Sequence, residues 1–153
     1  MTNPSFRRAE AADLTAIVAL LADDVLGATR EHVAEPLPPA YGAAFTAIDG
    51  DANQLLLVGE WGGRIIGCLQ LSFLPGLGHR GAWRAQIDAV RIASTLRGRG
   101  FGEAMIVHAI ALAKARGCRI VQLTTDKARP DALRFYRRLG FAASHEGLKL
   151  ALS

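Results

Sequence analysis

The chain has 153 residues, half of them apolar and 21% charged, with a formal net charge of +4. That length suits one domain, residues 1–153, with a sizeable core, and the composition excludes a disordered chain. No apolar run is long enough to cross a bilayer, and Met1 to Arg8 lack the apolar stretch of a secretory leader. A cytoplasmic protein with no membrane partner is therefore expected. The 18 basic residues comprise 15 Arg and 3 Lys, scattered and not gathered in a tract. This points away from nucleic acid and towards a small anionic ligand. Cys68 and Cys118 form no close pair, and no Cys/His group has zinc spacing, so buried thiols and no metal are expected.

In chain order, Ser5 to Arg8 reads as a first strand. Ala12 to Leu26 carries Leu14, Ile17, Leu20, Leu21 and Val25 at helical spacing, with Gly27 as its stop. Pro36-Leu37-Pro38-Pro39 breaks the chain before a second helix, Ala40 to Ile48. Asn53 to Trp61 and Arg64 to Phe73 are apolar runs around Gly62-Gly63, a strong hairpin signal. Leu74 to Ala82, with Pro75, Gly76, Gly78 and Gly81, reads as a mobile loop. Trp83 to Ile92 is the next strand, Gly100 to Arg116 a helix stopped by Gly117, and Ile120 to Thr124 a strand. Pro130 to Leu139 is a helix closed by Gly140. Phe141 to Ser144 and Leu148 to Leu152 read as final short strands. The order β-α-α-β-β-β-α-β-α-β-β predicts an α/β (α+β) fold, a mixed sheet with helices on both faces.

The most informative stretch is Arg97-Gly98-Arg99-Gly100-Phe101-Gly102, between a strand and a helix. Glycines there let backbone N–H groups approach an anion, and the helix dipole adds to the attraction. A Walker loop needs Lys followed by Ser or Thr after its last glycine, whereas Glu103 and Ala104 follow Gly102. A dinucleotide fingerprint needs a small residue at 103, where Glu103 stands. Asp126 could mimic its ribose acid, yet too little chain follows for a full dinucleotide-binding domain. Arg97-x-x-Gly100-x-Gly102 resembles the R/Q-x-x-G-x-G/A motif of the GNAT superfamily of acetyl-CoA-dependent N-acetyltransferases. Ala132-Leu133-Arg134-Phe135-Tyr136-Arg137-Arg138-Leu139-Gly140-Phe141 resembles the same family's A-x-x-F/L-Y-x-x-x-G-F block. The resemblance spans the chain and is tightest over 87–141. It implies a mostly antiparallel central sheet of about seven strands flanked by about four helices.

The resemblance also implies acetyl-CoA as cosubstrate, its pyrophosphate resting on Gly98, Arg99, Gly100, Phe101 and Gly102 beside Arg97, with Glu103 starting the helix. The pantetheine arm would pair with Val90, Arg91 and Ile92, whose backbone N–H groups would polarise the thioester carbonyl. Core packing alone would also explain Val90 and Ile92. Tyr136 resembles the family tyrosine that bonds the CoA sulfur and protonates the departing thiolate. A phenol is protonated at neutral pH, which fits an acid. Where many relatives carry Asn, this chain has Arg129, which could reach a phosphate instead.

A carboxylate near the thioester could take the amine proton. Period-two alternation places Gln86, Asp88 and Val90 on one strand face, and Asp88 is its one acid. Asp88 is the candidate base, with a solvated strand acid as an equal alternative. His79 and His145 rank below it, and His32 and His108 read as structural or exposed. The implied activity is transfer of acetyl to a primary amine of a small molecule or peptide by direct attack in a ternary complex. A non-catalytic acyl-CoA-binding regulatory module is the alternative. The acceptor would lie among Leu20 to Tyr41, Pro75 to Trp83 and His145 to Leu148. Homodimers are frequent among such relatives.

Overall fold

The computed structural model describes residues 3–153, which fall into two compact units dividing between Gln122 and Leu123. Five strands form one sheet in the order β1-β2-β3-β4-β5: β1 (Ser5–Arg8), β2 (Gln54–Trp61), β3 (Arg64–Leu74), β4 (Arg84–Ile92) and β5 (Ile120–Leu123). The ladders from β1 to β4 are antiparallel. The helices are α1 (Leu14–Ala22), α2 (Val25–Arg30), α3 (Pro39–Asp49), α4 (Gly78–Gly81), α5 (Phe101–Ala115) and α6 (Ala132–Arg138).

The β2–β3 hairpin turns at Gly62 and Gly63, with φ of +60° and +74°. Two consecutive positive values define the tight turn whose twist matches the strands. Neighbouring residues of β3 serve opposite faces of the sheet. Cys68 packs with Val58, Leu56, Ala9, Ile17 and Leu20, so one face lies under α1. A Cβ at Gly67 would meet the Met105 Sδ at 3.5 Å, so α5 covers the other. Met105, Ile106, Ala109 and Ala113 are fully buried along one side of that helix, the stripe expected of an amphipathic element.

Three expected features are corrected. The single helix over Ala12 to Leu26 is a 3₁₀ turn followed by α1 and α2, broken at Asp23-Asp24, and Gly27 lies inside α2. Asp24 is extended and its carboxylate accepts from the Gly27 N–H, an N-cap that starts a new helix where the apolar spacing runs on unbroken. Among the described residues the sheet has five strands, not about seven, and there are six helices, not about four. Phe141 to Ser144 and Leu148 to Leu152 join no ladder, so the sheet ends on β5. The expected loop 74–82 contains α4, one turn in which His79 and Arg80 have left-handed φ of 52° and 60°.

Charge fixes the start of the chain onto this frame. Arg7 Nη1 and Nη2 donate to Asp13 Oδ2 and Oδ1 at 2.7 and 2.9 Å, and Arg7 Nε donates to Glu60 Oε1 at 2.7 Å. The Glu10 N–H donates to Asp13 Oδ2 at 2.7 Å. One guanidinium thus joins β1, β2 and the turn leading into α1, and the Arg7 hydrogen bonds hold the buried Asp13 carboxyl below its ordinary range.

Asp13→Ala should lower the unfolding free energy by about 1–3 kcal/mol, measured by urea unfolding near neutral pH. The Asp13 contribution is complete above about pH 4 and is lost as pH falls through the depressed folded-state value. The gap between wild type and variant should therefore narrow in acid. A gap that stays constant on acidification would exclude the Asp13 carboxylate as its source.

Candidate active site

β4 is not a regular strand. Its register with β3 steps from Gln70↔Asp88 to Cys68↔Arg91, so Ala89 and Val90 together stand opposite Leu69. This is a β-bulge, and Ala89 takes φ of +56°, a left-handed value unusual for a residue with a Cβ. The Cys68 Sγ lies 3.7 Å from the Ala89 carbonyl oxygen, to which it donates. Burial pushes the Cys68 thiol up to about 12, which keeps it a protonated donor. The bulge also corrects the expected alternation: Gln86 and Asp88 share a face, but after the extra residue Arg91, not Val90, takes the side of Asp88. Ala89 and Val90 have no partner of their own in β3. A bulge of this kind turns backbone groups out of the ladder, where an extended ligand can use them.

β4 leads through a 3₁₀ turn, Ser94–Leu96, to the glycine loop. Gly98 and Gly100 have φ of +77° and +85°, and a Cβ at either would meet no atom within 4 Å. Gly100 precedes α5 with no side-chain cap, so the first-turn amides of this 15-residue helix carry no side-chain acceptor from it. Glu103 sits exposed in that first turn, favourable to the helix dipole. Phe101 is buried, and its ring lies 5.2 Å from that of Trp61. The Arg99 guanidinium stands over both rings, at 5.0 and 5.6 Å from their centroids. Trp61, Arg99, Gly100, Phe101 and Ala104, with Asn3 and Pro4, line a cavity of about 160 Å³.

Arg97 reaches backwards. Its Nη2 donates to the Asp23 carbonyl at 2.8 Å and its Nε to the Ile92 carbonyl at 3.3 Å. The Asp23 carboxylate accepts from the Ser94 N–H at 3.0 Å, and that bond lowers its pKa. The next residue joins the same turn to β4: Arg91 Nε lies 3.7 Å from Asp24 Oδ2, with both side chains largely buried. Arg91 Nη1 also donates to the Val90 carbonyl at 2.9 Å. The α1–α2 break is thus tied to the end of β4 and to the approach to the glycine loop.

Asp88 is exposed, and Gln86 Nε2 donates to its Oδ1 at 3.4 Å. Gln86 is itself held by Gln122 Nε2 at 2.6 Å. In the second unit, Tyr136 is buried on α6, edge-on to Phe135 and Phe141 at centroid distances of 5.0 and 5.7 Å. Arg129 is half-buried in the turn before α6, where its N–H donates to the Asp126 carbonyl at 2.9 Å. His145 shares a hydrogen bond with Ser144, and the His108 ring stacks at 5.0 Å on Phe6. Cys118 is half-buried, not buried as expected. No group of metal-ligating side chains gathers among the described residues.

A sequence profile of the acetyltransferase (GNAT) family matches residues 15–141. The chain belongs to this family. It is 51% identical to a transcriptional regulator from Bacillus halodurans C-125, whose crystal structure superposes with a TM-score of 0.95 over 97% of this chain and 99% of that one. It is 30% identical over 91 residues to a glucosamine 6-phosphate N-acetyltransferase of Trypanosoma brucei brucei, 59% of each chain. It is 30% identical over 83 residues to an aminoalkylphosphonate N-acetyltransferase of Salmonella typhimurium, 54% of this chain and 53% of that one. The match thus spans just over half the length of these two relatives.

The GNAT residues present fit a pyrophosphate-bearing thioester. Two left-handed glycines open the loop, the first turn of α5 lacks a cap, and an extended strand with a bulge precedes both. Sequence reasoning missed three contributors. Ala89 carries no sign of its positive φ. Trp61 reads only as the end of a strand, although the Gly62-Gly63 turn beside it marks a position at the sheet rim. Asp23 falls inside the single helix expected over Ala12 to Leu26, and its partner Ser94 is 71 residues away.

Asp23→Ala should cost on the order of 0.5–1 kcal/mol, the low end for a charged acceptor because the bond is solvent-exposed. Asp23→Asn keeps an acceptor for Ser94 and should cost less. Thermal unfolding of both variants checks this, and equal losses would show that the Ser94 bond contributes nothing.

Proposed function

We propose that the chain is an N-acetyltransferase moving the acetyl group of acetyl-CoA to the primary amine of a small molecule or peptide, by direct attack in a ternary complex. The observation that carries this reading is the bulge at Ala89–Val90 followed by the glycine loop and uncapped α5 terminus in one stretch of chain. One element presents strand backbone to an extended arm, and the next presents amides to a pyrophosphate. Acetyl-CoA supplies an activated acetyl thioester: the amine nitrogen forms the N–C bond as the C–S bond breaks and the thiol departs.

The amides of Gly98, Arg99, Gly100, Phe101, Gly102 and Glu103 hold the pyrophosphate, and the arginines of the loop add positive potential. Val90, Arg91 and Ile92 align the pantetheine arm through their backbone, and amides at the bulge stabilise charge developing on the carbonyl oxygen. The Asp88 carboxylate, open to solvent, accepts the proton of the acceptor amine, with Gln86 steadying one of its oxygens. The Tyr136 hydroxyl delivers a proton to the leaving sulfur, and Arg129 reaches a phosphate of the cosubstrate. Much of the rate then comes from positioning, which backbone supplies as well as side chains.

A second reading keeps the cosubstrate and drops the turnover: an acyl-CoA-binding regulatory module. The relative described as a transcriptional regulator, 51% identical over almost the whole chain, favours it specifically. Calorimetric titration with acetyl-CoA, followed by thiol-release assays on an amine panel, separates the two. The panel includes amino sugar phosphates and aminophosphonates, the acceptors named for two relatives. The enzyme should release thiol with at least one amine. Tyr136→Phe should lower kcat roughly 10²-fold with little change in acetyl-CoA affinity, and Asp88→Asn should lower kcat while acetyl-CoA affinity is kept. Tight acetyl-CoA binding with no turnover on any amine would favour the regulatory module, and no binding would defeat both.

A further inference from the structure

The two faces of the central strands differ in chemistry. On the α5 face of β3 and β4, Leu69, Leu71, Phe73, Ala85 and Ile87 are buried and apolar. On the α1 face the rows beyond Cys68 are polar: Gln70 stands opposite Asp88 and Ser72 opposite Gln86, with Arg84 next in line on β4. Polar side chains on a sheet face are costly unless they are bonded, and these bond one another. Gln70 Nε2 and Ser72 Oγ each donate to Gln54 Oε1 at 2.9 Å, and Gln86 bridges Gln122 and Asp88. This floor of amides and a hydroxyl is also polarised. Asp88 lies beside the bulge, and Arg84 lies four residues away along the strand, roughly 13 Å at about 3.3 Å a residue. Arg7 and Arg91 face carboxylates, whereas Arg84 has no hydrogen-bond or ion-pair partner among the described residues of the unit 3–122. Its Nη1 is 3.5 Å from where a Cβ on Gly76 would stand, so the guanidinium rests against the loop backbone. Residues 74–86 include His79, Arg80 and Arg84 and no acid.

We propose that the acceptor is an amine that also carries an anionic group, phosphate or carboxylate, and that Arg84 binds this group while the amine stands at Asp88. The proposal names the acceptor class and rests on the N-acetyltransferase reading. In that reading the cosubstrate takes β4 from the bulge to the glycine loop, so the acceptor extends the other way, over Gln86 towards Arg84. An uncharged amine would leave the guanidinium without a counter-charge. An anionic one gives its planar fork two oxygens to meet with parallel N–H bonds. The protonated amine is drawn to the acid end and the anion to the basic end, so charge along one strand also fixes which way round the acceptor lies. Between the two ends, the amides and hydroxyl of the floor suit a body with hydrogen-bonding groups of its own. Arg84 thereby acts as a specificity-determining residue and takes no part in the proton transfers.

Thiol release at saturating acetyl-CoA, measured on amines that share one pentamethylene chain, tests this: 5-aminopentanol, its phosphate monoester and 6-aminohexanoate. The last two separate phosphate from carboxylate as the source of negative charge. At least one anion should exceed the alcohol by roughly tenfold or more in kcat/KM, mainly through KM, the fold-change expected of a charged hydrogen bond. Arg84→Gln should bring that ratio close to one. Arg84→Lys keeps the charge, loses the fork and should restore part of the preference. A merely structural role for Arg84 would lower all three amines together and leave the ratio as it was. The wild-type series needs no variant, so the test holds if Arg84→Gln fails to fold. Uncharged amines turned over as well as either anion, or a preference that survives in Arg84→Gln, would overturn the acceptor class and leave the N-acetyltransferase reading standing. No turnover of any amine would overturn both.

Discussion

The constraint on which the site depends is the extra residue in β4. Without it, β3 and β4 would pair evenly from Gly67 to Leu74, and the backbone groups facing β3 would all be held in that ladder. With it, Ala89 is forced to a left-handed φ and Ala89 and Val90 share one partner position. A residue with a Cβ accepts such a conformation only where the surroundings over-determine it. Two of those surroundings are visible. The Cys68 thiol donates to the Ala89 carbonyl from a fully buried position. Next to it, Gly67 lets the strands close up, since a Cβ there would come within 2.7 Å of Ile92 Cδ1 and 3.0 Å of the Arg91 carbonyl. The core beneath the sheet thus holds the strained backbone that the proposed chemistry uses.

What was legible in the sequence follows from how local each cause is. The β2–β3 hairpin is set by two adjacent glycines, and α5 by an apolar stripe after a glycine-rich start, so both stand where the pattern puts them. The break between α1 and α2 was hidden because Leu20, Leu21 and Val25 keep helical spacing across it. The break is fixed by the Asp24 cap and by Asp23 accepting from Ser94, a partner far along the chain. The bulge was hidden for a related reason. Its position depends on strand register against β3, and alanine gives no warning of a positive φ. The final strands expected over Phe141 to Ser144 and Leu148 to Leu152 join no ladder, because alternation states only which face would be covered and not what pairs with it.

The arginines that carry much of the positive charge are engaged within the fold. Arg7 is engaged by Asp13 and Glu60, Arg91 lies against Asp24, and Arg97 is spent on two backbone carbonyls. Arg116 lies 4.0 Å from the Phe73 ring centroid and donates to the Ala52 carbonyl and to Asn53. These planar, multiply donating groups serve as internal fasteners, a task at which Lys is inferior and which fits the excess of Arg over Lys. A surplus of positive charge assembled this way is a by-product of bracing the fold.

Arg97 shows how such bracing serves a site. Its place in the loop motif invites assignment as a phosphate ligand, yet its guanidinium points back to Asp23 and Ile92. A phosphate held by the amides of Gly98 to Gly102 needs those amides aimed together. Glycines at φ of +77° and +85° have little stiffness of their own. Anchoring the residue immediately before them to two fixed carbonyls removes much of the loop's freedom in advance, so less entropy remains to be lost when an anion is bound. Under the proposed function the motif arginine contributes through the conformation it imposes, and the amides beside it are left to make the contact.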